Sequence, residues 1–146
     1  MVGEVRDEAA IDMLQAMNTG HDGSISTGHA NSCEDMVSRL ETMFLMGLDI
    51  PLTAVRKQIA SAVDIIIHLG RLRDKSRKVL KICEVKGMEN QEIVLNTLFE
   101  FSEYREEHGK IYGKLKKIND LINVDKLERF GILSAYREVE GGLQGI

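Results

Sequence analysis

Residues 2–32 read VGEVRDEAAIDMLQAMNTGHDGSISTGHANS. Glu4 follows Val2 and Gly3 and precedes a helix-like segment. In an α/β fold that is where a strand delivers a carboxylate to the crevice at its C-terminal end. A carboxylate so placed can orient or deprotonate a water, whereas most glutamates near a terminus are only solvated charges. From Asp7 to Met17 the residues Ala9, Ala10, Met13, Leu14 and Met17 recur at helical spacing, which predicts a helix. Asn18–Ser26 is polar, with Gly20 and Gly23 flanking His21 and Asp22, and reads as an ordered loop that leaves through a short strand over Ile25–His29. His21 and His29, eight residues apart, fit a phosphate contact, a metal pair completed by Asp22, or two exposed histidines. Eight is not a ligand spacing on a helix, which disfavours the metal.

Downstream, Ser32 opens a second helix with Asp35 three residues on, a capping box. Met36, Val37, Leu40, Met43 and Phe44 form its apolar stripe, a core feature, and Gly47 is expected to stop it by adopting positive φ. Pro51, the only proline, suits the first turn of a third helix that turns Leu52, Val55 and Ile59 inward. The pattern then changes. Val63–Leu69 is β-branched and apolar, as a strand covered on both faces would be. Asp74-Lys75-Ser76 predicts a turn into a strand over Lys78–Val85, and Gly87–Gln91 a turn into a third strand from Ile93 to Phe101. The charged run Ser102–Lys110 reads as a loop, Ile111–Leu115 as a fourth strand, and Val124–Phe130 as a short final helix before Gly131. Three glycines in the last nine residues suggest a frayed tail.

The chain's 146 residues fit one domain or one lobe of a larger one, and 43% apolar with 29% charged residues is a globular balance. A net charge of −4 without a basic stripe argues against nucleic acid as partner. The basic stretches Arg71–Lys81 and Lys110–Lys117 alternate with apolar residues, as solvated strand faces do. Cys33 and Cys83 are isolated thiols without zinc-ligand spacing, which suggests a reducing compartment, most simply the cytoplasm. No apolar run approaches a membrane span, and the N-terminus lacks signal-peptide character. His68 ends an apolar strand and reads as packing, and His108 carries no signal. The Gly-Lys pairs at Gly109-Lys110 and Gly113-Lys114 lack the upstream glycine and the following Ser/Thr of a phosphate-binding loop.

The motifs G-E-V-R, then N-T-G-H-D-G-S and H-A-N-S, closely resemble the type II/type IV secretion ATPases, nearest to the tight-adherence pilus branch called CpaF-type. The likeness continues through Ser38–Met43, Gln58–Asp64, Arg71–Asp74, Glu84–Glu89 and Phe99–Phe101, and more loosely to Phe130–Ile132. It implies an α/β fold: part of the C-terminal lobe of a RecA-like P-loop NTPase, helices followed by a β-meander and a small helix. Residues 1–132 would be that lobe and 133–146 a flexible tail. By the same resemblance Glu4 would be the catalytic glutamate that positions water, and Arg6 would brace its motif. His29 would reach the γ-phosphate, and His21 would order the histidine box.

ATP with Mg would be the cofactor of the full-length family, with no tight binding expected here. Partners would be further copies in a hexameric ring, at the cytoplasmic face of the inner membrane, and the secretion or pilus platform proteins there. The phosphate loop and the body of the Walker B strand would lie upstream of Met1, so turnover by this chain alone is not expected. Two departures stand out. Gly28 precedes His29 where the family has a bulkier apolar residue, and Asn119 and Asn123 replace a glycine and a proline common near the end. Two other readings are a non-catalytic module that binds motor subunits, and a metal-dependent hydrolase built on His21, Asp22 and His29.

Overall fold

Ser32 starts the longest helix as expected: its hydroxyl accepts from the Asp35 amide at 2.9 Å. The return arm lands one residue early, where the Asn31 amide donates to Asp35 Oδ2 at 2.7 Å. This helix, Cys33–Gly47 (α2), packs with Ala9–Asn18 (α1) and Leu52–Ala62 (α3), each of the three touching the other two. The computed structural model describes residues 3–7, 9–20 and 23–143. Ala10, Ile11, Met13 and Leu14 of α1, Leu40, Met43 and Phe44 of α2, and Val55, Ile59 and Ala62 of α3 form one buried cluster, joined by Val5. The three helices therefore bury their stripes mainly against one another, and Ile93 is the sheet residue packed on that cluster.

Three details of the helices differ from expectation. Gly47 is the last helical residue, and the chain leaves through Leu48 in extended conformation (φ −136°), not through a left-handed glycine. Pro51 caps α3 from outside, with its carbonyl accepting from the Ala54 and Val55 amides. Leu52 faces outward, leaving Val55 and Ile59 as the inward residues.

The second half is an antiparallel meander, Ile65–Arg71 (β1), Arg77–Glu89 (β2), Glu92–Glu107 (β3) and Lys110–Lys117 (β4), in spatial order β1-β2-β3-β4. Two hairpins close through two-residue turns whose central residues are both left-handed: Asn90-Gln91 (φ 49° and 66°) and His108-Gly109 (φ 50° and 72°). That geometry matches the twist of the flanking strands. The run Ser102–Lys110, expected as a loop, is instead the end of β3 and the start of β4. Its charges pair rather than solvate a loop: Arg73 Nη2 meets Glu103 at 2.6 Å and Glu106 at 2.8 Å, and Arg105 stacks over Tyr112 at 4.6 Å.

β1 is an edge strand, not one covered on both faces. Ile66 and His68 are half-buried beneath the helix layer, whereas Ile67 and Leu69 on the opposite face are 53% and 67% exposed. The β1–β2 turn reaches across to the far edge strand. Asp74 Oδ1 accepts from the Ser76 amide and hydroxyl at 2.9 and 2.6 Å, and Oδ2 accepts from the Ile111 amide of β4 at 2.8 Å. The sheet is thus curled enough to bring its first turn against its last strand.

The linker after β4 crosses the outer face of the sheet. Ile118 N and Asn119 N donate to Leu98 O, and the Asn119 side chain donates to Thr97 O at 2.8 Å. Beneath the linker lies Glu84, 1% exposed, accepting from Asn96 Nδ2 (2.9 Å), Ile122 N (3.0 Å) and Asn123 N (2.5 Å). Beyond it the helix Asp125–Arg129 (α4) ends as expected at Gly131 (φ 68°). Gly131 N donates to Glu128 O and Ile132 N to Leu127 O, the paired bonds of a Schellman ending. It is not the final helix: Leu133–Leu143 forms α5 where the sequence reading placed only a tail. No helix among the described residues is long and apolar enough to cross a membrane.

Two predictions follow from these carboxylates. In Glu84→Gln the amide offers one acceptor, and its NH2 faces the donors of the linker. Stability to urea should fall by about 2 kcal/mol, the cost of leaving a buried N–H unsatisfied. Hydrogen bonds from Ile111 and Ser76 hold the Asp74 carboxyl down at about 2. Its contribution to stability is therefore complete above the ordinary carboxylate range and is lost as the pH falls through about 2. Asp74→Ala should lower the unfolding temperature at neutral pH and flatten the loss of stability between pH 4 and pH 2, as read by thermal melts.

Candidate functional site

Glu4 and His29 are brought together by backbone pairing. Val5 N donates to Thr27 O at 2.6 Å, and Glu4 and Thr27 form a parallel bridge. Ser26 Oγ adds a bond to Gly3 O at 2.8 Å. The strand expected over Ile25–His29 is only this one bridge. It suffices to align the two segments, because Val5 is anchored in the helical core and Ser32 starts α2 three residues after His29.

Both Glu4 oxygens are engaged. Oε2 accepts from Arg6 Nη2 at 2.6 Å, and Oε1 meets His29 Nε2. The Glu4 side chain is 30% exposed and that of His29 is 81% exposed, so the triad lies open at the surface. Chemically it offers two nitrogen donors suited to an oxyanion and one carboxylate suited to a water. Three of the four candidate residues, Glu4, Arg6 and His29, thus form one contact set. His21, and with it Asp22, lies outside the described residues.

Gly28 shows how its small size is used. A Cβ there would stand 2.9 Å from Met36 Cε, so the α2 methionine occupies the room that a larger side chain would take. Because the obstacle is the mobile end of a side chain, a bulkier residue and a swung Met36 are interchangeable ways of filling the same space.

The described residues hold no group of three or more His, Cys, Asp or Glu side chains fit for a metal ion. Arg6 and His29 are donors suited to the oxygens of a phosphate, whereas the Glu4 carboxylate only accepts; the three do not build a magnesium site. The cysteines lie elsewhere. Cys33, at the start of α2, donates to Ile66 O at 3.8 Å, and Ile66 is the register partner of Cys83. Burial first, and the neighbouring Cys83 second, push the Cys33 thiol up to about 12, so it stays protonated and unreactive. Sequence reasoning missed Glu84, the buried carboxylate, because nothing local distinguishes it from the alternating charges around it.

Comparison with known proteins converges on one family. Residues 1–129 match the family model described as type II/IV secretion system protein. A putative conjugal transfer protein of Mycobacterium tuberculosis is 34% identical over 91 residues, covering 62% of this chain and 26% of the relative. The conjugal transfer protein TrbB of Rhizobium radiobacter is 36% identical over 90 residues, 62% of this chain and 27% of its own. The crystal structure of the VirB11 ATPase from the Brucella suis type IV secretion system, in complex with sulphate, superposes with a TM-score of 0.53 at 30% identity. That superposition covers 56% of this chain and 26% of that one. The likeness agrees with the expected α/β class. The chain spans about a quarter of the length of these relatives. It belongs to the type II/IV secretion system protein family.

Proposed function

We propose that this chain is the C-terminal part of an ATPase that powers protein secretion or pilus assembly, and that it contributes the water-handling half of the active site. The carrying observation is the convergence of Glu4, Arg6 and His29 in a sequence that shows no phosphate-binding loop pattern. The name of the Brucella suis neighbour, a VirB11 ATPase of a type IV secretion system, supports the reaction class. The motif pattern favours the tight-adherence pilus branch. In the full-length protein ATP with Mg would be gripped elsewhere, several copies would form a ring, and the assembly would work at the cytoplasmic face of a membrane platform. A bound Mg·ATP would supply the phosphoryl group and the metal's charge neutralisation.

The chain's own residues would act in order. Arg6 and His29 hold both oxygens of Glu4, so the carboxylate is occupied in this arrangement. A terminal phosphate approaching the cluster competes for the two donors, since an anion with several oxygens is the better acceptor for guanidinium and imidazole. Their transfer frees Glu4 to accept a hydrogen bond from water and align it for attack. After hydrolysis and phosphate departure the donors return to Glu4. His29 would then report the presence of phosphate to α2, whose N-terminus begins at Cys33.

A chimera tests this: the part of the Brucella suis VirB11 ATPase that superposes on this chain is replaced by the matching residues of this chain, Glu4 and His29 included, and phosphate release is measured. The chimera should hydrolyse ATP. Glu4→Gln should lower kcat about 100-fold or more, as loss of a positioned base does. His29→Ala should lower it by about tenfold or more, as loss of a donor to transferring charge does. The isolated chain should show no turnover. A Glu4→Gln chimera as fast as its parent would overturn the assignment.

A further inference from the structure

His29 is held by its backbone and not by a pocket. Its imidazole lies open to solvent, and among the described residues its side-chain partner is Glu4. Where the ring stands therefore depends on how firmly residues 27–31 are fixed. On the upstream side the Thr27 carbonyl accepts from the Val5 amide at 2.6 Å. On the downstream side the Asn31 amide donates to Asp35 Oδ2 at 2.7 Å. His29 stands two residues from each anchor.

The downstream anchor differs from an ordinary helix cap. In a capping box the side chain at the third helical position returns to the amide of the cap residue itself. Here the cap is Ser32 and the third position is Asp35, yet the carboxylate reaches past Ser32 to Asn31. The bond thus clasps the turn that joins His29 to α2. The helix start does not depend on it for a cap, since the Ser32 hydroxyl accepts from the Asp35 amide at 2.9 Å. A carboxylate that accepts from a backbone amide makes a charge-assisted bond, and the first turn of a helix favours its negative charge.

A second contact from the same turn of α2 reaches the other flank of His29. Met36 lies against Gly28, where a Cβ would come within 2.9 Å of Met36 Cε and 3.2 Å of its Sδ. Adjacent residues of α2 therefore bracket His29, Met36 by packing on Gly28 and Asp35 by a directional bond to Asn31.

We infer that Asp35 is a positioning residue for His29. It acts through the Asn31 amide, fixing the turn so that Nε2 is presented to Glu4. The catalytic part of the inference rests on the role proposed above for His29, toward a terminal phosphate. Misplacing a catalytic group by about 1 Å can cost on the order of 100-fold in rate, so a clasp at this position has a measurable effect.

Two measurements test it, one of them independent of hydrolysis. On the 146-residue chain at fixed pH, NMR reads the ring carbon–proton signal of His29, assigned by its loss in His29→Ala. Glu4→Gln should displace that signal, because the ring loses a charged neighbour. Asp35→Ala should displace it the same way, whereas Asp35→Asn, which keeps an acceptor for the Asn31 amide, should leave it near the wild-type position. In the chimera, built to include all of α2, Asp35→Ala should lower kcat about tenfold or more and change KM for ATP less than about twofold, as loss of a transition-state contact does. Asp35→Asn should recover most of that rate, and Asp35→Ala should cost nothing further in a His29→Ala background. A His29 signal indifferent to Asp35→Ala would overturn the inference. So would a rate loss that persists undiminished when His29 is already alanine. A chimera indifferent to both Glu4→Gln and His29→Ala would sink the catalytic reading instead, and the NMR displacement would still decide whether Asp35 positions the ring.

Discussion

The placing of one carboxylate that has no cationic partner among the described residues orders the outer half of the molecule. Glu84 sits in mid-sheet on the face opposite the helices, and a buried carboxylate is tolerated only where donors surround it. Those donors come from Asn96 on the neighbouring strand and from the Ile122 and Asn123 amides of the linker. Leaving such a group unsatisfied costs several kcal/mol, against about 1 kcal/mol net for an ordinary hydrogen bond. The linker therefore has one preferred path. That path sets α4 against the α3–β1 junction, where Lys126 meets Asp64 at 2.6 Å.

The departures at Asn119 and Asn123 gain a physical meaning here. Asn119 bonds Thr97 O, and Asn123 Nδ2 bonds Val85 O and Lys86 O on the strand ahead of Glu84. Two side-chain amides thus fasten both ends of the crossing. A glycine or proline at these positions would shape the linker through backbone preference alone, without adding bonds to the sheet.

Much of the helical half was legible because its signals are local: Ser32 with Asp35, the stripe from Met36 to Phe44, and Pro51 before α3. The meander was legible in order but not in extent. Glu103, Arg105 and Glu106 look like a solvated loop in sequence, since their partners lie outside the run, Arg73 in the β1–β2 turn and Tyr112 on β4. A run such as Ile65-Ile66-Ile67 reads the same whether its second face is covered or bare, so the edge position of β1 was invisible to pattern. The Glu4–His29 pairing was legible only through long motifs. Twenty-odd residues separate the two, and the single bridge at Thr27 that joins them leaves no periodic trace.

The sheet's connectivity has a consequence for how the chain is made. Every strand pairs with its immediate successor, so the meander can zip from turn to turn with short loop closures. Synthesis, however, delivers α1, α2 and α3 to solution before any of these strands exist. The apolar seam around Phe44 and Ile59 is therefore complete in sequence before the strand that carries Ile93 arrives. During that interval the nascent helices resemble an unfinished bundle, and the ribosome-bound chain is most exposed to holding factors and to neighbours emerging from the same message.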